Sequence, residues 1–95
     1  MIKLTKNKQE LLNYLGEKYN TKEAHMEPII YRDFGDFDVE ILGAHEEGLS
    51  AKILFWHKRI GFHVVERVEV EDGNFEHIKN ELDRLIQKYV KKIEQ

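Results

Sequence analysis

Asp33, Asp36, Asp38 and Glu40 fall within ten residues, YRDFGDFDVE at 31–40. Carboxylates this dense can ligate a hard divalent cation through oxygen. They can equally meet the Arg and Lys side chains of a basic macromolecule, or stand as ordinary solvated charges screened by salt. A second stretch, ILFWHKRIGFHVV at 53–65, sets Trp56, His57 and His63 beside Lys58 and Arg59. Rings next to cations can stack a base or hold a phosphate. Trp, Tyr and Arg are also the side chains that dominate the energy of protein interfaces.

The raw material for catalysis is thin. Asp33-Phe34-Gly35 matches the metal-binding triplet of protein kinases, but the chain is too short for that fold and lacks its glycine-rich and catalytic loops. His45-Glu46-Glu47-Gly48-Leu49 opens like a zincin helix and then carries leucine where the second histidine must stand. Ser50 is the only serine, Thr5 and Thr21 are the only threonines, and there is no cysteine. That removes disulfides, a thiolate nucleophile and cysteine-ligated zinc. The five histidines (25, 45, 57, 63, 77) are scattered. The expectation is a non-enzymatic protein with no metal and no cofactor.

The chain's 95 residues are 41% apolar and 35% charged, with one proline, the composition of an ordered domain with a core of its own. No apolar run reads as a signal peptide or a membrane span. With the missing cysteines, that makes a cytoplasmic protein the natural reading. The net charge of −3 is unevenly spread. Residues 29–51 hold Arg32 against Asp33, Asp36, Asp38, Glu40, Glu46 and Glu47, whereas residues 52–63 hold Lys52, Lys58 and Arg59 with no acid. A basic surface this local disfavours general nucleic-acid binding.

The elements that must position these groups follow from periodicity. Leu11, Leu12, Leu15 and Tyr19 share one stripe, which predicts a helix over 6–19 with Thr5 as N-cap. The polar segment 20–27 ends at Pro28 and reads as a loop. From Ile29 the period becomes two, and Gly35 suits the first central position of a type II′ hairpin. That turn pairs Phe34 with Phe37, Arg32 with Val39 and Ile30 with Ile41 on one face, and Asp33 with Asp38 and Tyr31 with Glu40 on the other. Two more strands are expected at 49–57 and 62–71. A four-residue loop between them would pair Trp56 with His63 and Leu54 with Val65, and put His57 and His63 on opposite faces. Phe62, Val64, Val68 and Val70 would then look inward with Ile53 and Phe55. Arg32 and Glu66 interrupt the inward sets, so they should meet each other or sit at the sheet margin. Asn74 caps a last helix over 75–93, whose stripe is Phe75, Ile78, Leu82, Leu85, Ile86, Tyr89 and Ile93.

The expected fold is one α+β domain over 1–95, a four-stranded antiparallel meander with N- and C-terminal helices mainly on one face. In a meander the first and third turns share an end, so the acidic tip (Asp33, Asp36, Asp38) should neighbour the basic tip (Lys58, Arg59). The face away from the helices should carry Tyr31, Leu54, Trp56, His63 and Val65 as one apolar patch, and such patches usually mark interfaces. The leading expectation is a protein-binding module that uses this patch for energy and the charged tips for orientation. Two alternatives stay open: a nucleotide or nucleic-acid binder using residues 56–59, and a self-associating protein, a homodimer in the simplest case. In size and acidity the chain is similar to the small accessory and inhibitor proteins that phages make, although no motif ties it to a family.

Overall fold

The structure is a computed structural model that describes residues 3–24, 26–48, 50–59, 61–71 and 73–90. Helix α1, Lys6–Leu15, starts where the Thr5 side chain accepts a hydrogen bond from Lys8 N–H. It stops four residues before Tyr19 because Gly16, at φ 96°, turns its N–H back onto the Leu12 carbonyl. Five antiparallel strands follow among the described residues: β1 Asn20–Ala24, β2 Glu27–Asp33, β3 Phe37–Leu42, β4 Ala51–His57 and β5 His63–Val70, in the spatial order of their sequence. Asn74 then caps α2, Phe75–Leu85, by accepting from the N–H groups of Glu76 and His77. The helix widens into a π-helical turn at Ile86–Val90. The remainder of the expected helix, 91–93, lies outside the described residues.

The α+β class and the antiparallel sheet with two helices are as expected, but the sheet has five strands and not four. The added strand β1 pairs Lys22 with Ile29 and Ala24 with Glu27. Its turn carries Met26 at φ 65°, in the region that favours glycine, so neither apolar alternation nor a turn residue announces it. Pro28 is tolerated inside β2 because the pairing with β3 begins only at Ile30.

The predicted register of the first hairpin is met at every expected pair between Ile30↔Ile41 and Asp33↔Asp38. Both helices pack on the face it sends inward. Leu11 of α1 and Ile78, Leu82 and Leu85 of α2 join Ile30, Val39, Ile41, Ile53, Phe55 and Val70 in one buried cluster. Each such side chain contributes roughly 1.5–3 kcal/mol of apolar burial. Arg32 and Glu66 do look toward the helices, yet they do not meet. Glu66 is held by Arg84 at 2.8 Å, Lys88 at 2.9 Å and the Tyr89 hydroxyl at 2.7 Å. The Arg32 guanidinium lies 4.5 Å from the Phe34 ring centre and 5.5 Å from that of Tyr19.

The second hairpin departs from expectation. A β-bulge between Phe55 and Trp56 makes Phe55 face Glu66 while Trp56 faces Val64 and His57 faces His63. The extra residue changes the side to which each neighbour points. Val65, expected on the far face, packs against the helix-side core, and Phe62, expected inside, is 76% exposed. His57 and His63 share the helix-side face, stacked with ring centres 5.5 Å apart.

Candidate functional site

The far face of the sheet is built from three cross-strand rows. One runs Lys22, Ile29 on β1 and β2 and Lys52, Glu69 on β4 and β5, with Leu42 between them on β3. The next runs Asn20, Tyr31, Glu40, Leu54, Arg67, and the last Asp33, Asp38, Trp56, Val64. Tyr31, Leu42, Leu54, Trp56 and Val64 are half-buried and stand outside the helix-side cluster. Among the described residues no helix lies over them.

This face differs from the continuous apolar patch that was expected. Glu40 stands between Tyr31 and Leu54, and Asp38 stands next to Trp56. Lys22 makes that arrangement tolerable. Its side chain crosses the Tyr31 ring, 4.6 Å from the centre, and its amine reaches Glu40 at 3.1 Å and Asp38 at 3.4 Å. Burial opposes the charge on Lys22, but the hydrogen bond to Glu40 and the two carboxylates outweigh it and raise its pKa. Burial also pushes the Asp38 carboxyl up, against the pull of Lys22. Among the described residues, the Asp38 Oδ1 and Trp56 Nε1 atoms are buried with no hydrogen-bond partner. Each such atom costs about 1–3 kcal/mol, and the two belong to directly paired residues.

The two tips meet as the meander requires. Lys58 reaches Asp33 at 2.8 Å and Arg59 reaches Asp36 at 3.4 Å, while the Lys58 backbone N–H donates to the Asp36 carbonyl. The hydrogen bond from Lys58, helped by the Gly35 N–H, holds the Asp33 carboxyl below its usual range. The dense carboxylates of 31–40 therefore find their cations within the chain: Asp33 and Asp36 at the neighbouring turn, Asp38 and Glu40 from Lys22.

Between these groups lies a recess of about 150 Å³ lined by Lys22, Asp38, Glu40, Trp56, Lys58 and Phe62. The structure thus brings together Trp56, Asp38 and Lys58 of the expected site, with Tyr31 and Leu54 in the adjoining row, and removes His63 and Val65 to the other face. Glu40, one of the dense carboxylates, pairs with Tyr31 as expected, whereas Lys22 and Phe62 belong to the site and were not read from the sequence. Lys22 was hidden in the unrecognised strand β1, and Phe62 changes sides only through the bulge. Comparison of the chain with protein-family models, curated proteins and solved structures gave no match.

Proposed function

We propose that the chain is a small non-catalytic protein-binding module, of the accessory or inhibitor kind, that docks a protein on its far sheet face. The observation that carries this reading is the recess lined by half-buried Trp56 and by Phe62, a phenylalanine 76% exposed, on the sheet side away from both helices. Two aromatic side chains beside lysines and carboxylates have the mixed character of an interface centre and its rim. The hydroxyls at hand offer no activated nucleophile: Thr5 caps α1 and donates to the Glu46 carbonyl, and Ser50 is exposed in a loop. The nucleic-acid reading draws less support, because Lys58 and Arg59 already face Asp33 and Asp36.

The test is capture of a binding protein from cells that make this chain, followed by affinity measurement with the purified partner. Trp56→Ala should weaken binding by about 2 kcal/mol or more. Phe62→Ala should weaken it too, with no loss of fold because that ring is exposed. Affinity that ignores both substitutions would contradict the reading, and affinity that collapses steeply with added salt would favour phosphate binding instead.

A further inference from the structure

We propose that β5 is a self-association edge, pairing antiparallel with β5 of a second copy of this chain and centred on Val68. Strand β5 is the outermost strand on its side of the sheet and runs eight residues, His63–Val70. Such an edge presents unpaired backbone N–H and C=O groups to the next strand that arrives. The opposite edge, β1, has five residues and a polar sequence, NTKEA.

The bulge breaks the ladder with β4, and the longer uninterrupted stretch of β5 runs from Glu66 to Val70. Within it Glu66, Val68 and Val70 share the helix side, and Arg67 and Glu69 share the far side. A two-fold antiparallel pair must set like-facing residues opposite each other. Any of its five residues can therefore be the centre, but Glu66 would face its own copy and Val70 would set Glu69 against Glu71 of the second copy, like charges in both cases. Centring on Arg67 places it against its own copy, and centring on Glu69 does the same for that carboxylate, and like charges directly opposite destabilise a sheet. Centring on Val68 sets valine on valine and Arg67 against Glu69 of the second copy, twice by symmetry. Arg67 and Glu69 are both exposed, and neither makes an ion pair among the described residues, although Lys52 stands beside Glu69 on β4. Glu66 faces Val70 of the second copy and keeps its own ties to Arg84 and Lys88. The product is one sheet of doubled width, with all helices on one side and both Trp56 recesses on the other.

The test is the mass of the 95-residue chain by light scattering across a concentration series. The wild type should rise from one chain mass to two. Arg67→Glu and Glu69→Arg should each weaken the dimer at least about ten-fold, and the double reversal should restore it, because the opposite charges again face each other. Hydrogen exchange of the wild type supplies a readout that needs no variant: amides at 66–70 should gain protection as the dimer forms. A monomer at every concentration overturns the proposal. So does a dimer indifferent to the single reversals, a double variant as weak as the singles, or protection that appears elsewhere.

Discussion

Glu66 shows how much a single carboxylate can hold. Hydrogen bonds from Lys88, Tyr89 and Arg84 bring its pKa from 4.5 to about 2. Above pH 4.5 the group is ionised in both folded and unfolded chains and its contribution is complete. Between pH 4.5 and about 2 the unfolded chain takes up the proton first, so stability falls with pH, and below that window the contribution is gone. With its side chain 22% exposed, the group is worth about 1–2 kcal/mol after solvent screening. Glu66→Gln should be less stable than wild type by that amount at pH 7, and the two denaturation curves should converge near pH 2. A constant gap across the range would show that the ion cluster carries no net energy. Met26 makes the opposite case. It is 87% exposed, so Met26→Gly loses no packing and relieves a positive φ of 65°. Urea denaturation should show a gain of about 0.5–1 kcal/mol, and a loss would mean that the turn is not strained.

At the scale of elements, the sequence was informative wherever two local signals agreed. Thr5 and Asn74 stand where the caps are, Gly35 makes the first hairpin, and the stripe from Phe75 to Tyr89 is the covering face of α2 and its π-helical turn. It was silent where the decision is made by tertiary contact. β1 is recruited by its neighbour β2 and shows no alternation of its own. The bulge at Phe55 and Trp56 accompanies the contact of Glu66 with Arg84 of α2, which no local pattern encodes. Lys8 is a third such case. Placed in a helix of polar and apolar residues, it reads as a surface charge, yet it is fully buried and donates to the carbonyls of Glu46 at 3.1 Å and Gly48 at 2.8 Å. The amine ties α1 to the loop between β3 and β4, and burial lowers its pKa. Lys8→Met should cost about 2–4 kcal/mol in denaturant unfolding, because two carbonyls lose a charged donor. Hydrogen exchange should also speed up across 43–48. A cost below about 0.5 kcal/mol would place the loop's anchoring elsewhere, in the Thr5 contacts with Ala44 and Glu46.

On the scale of the whole molecule, the layers divide the work. One sheet face is closed by two helices around an aromatic and aliphatic core, while the other keeps Trp56, Tyr31, Leu54 and Phe62 among internally paired charges. The tip charges that looked like a lure for a basic partner neutralise one another, so the face offers a partner oriented dipoles more than net charge. What was legible of the site in advance was its membership near Trp56. The places of Phe62, His63 and Val65 were not, since the side on which they lie hangs on one extra residue in β5. The most direct measurement is a hydrogen-exchange footprint of the chain in complex with a protein captured as the proposed function requires. The account predicts protection concentrated on β3, β4 and the turn carrying Phe62, and unchanged exchange in α1 and α2. Protection confined to the helices, with the strands around Trp56 unaffected, would contradict it.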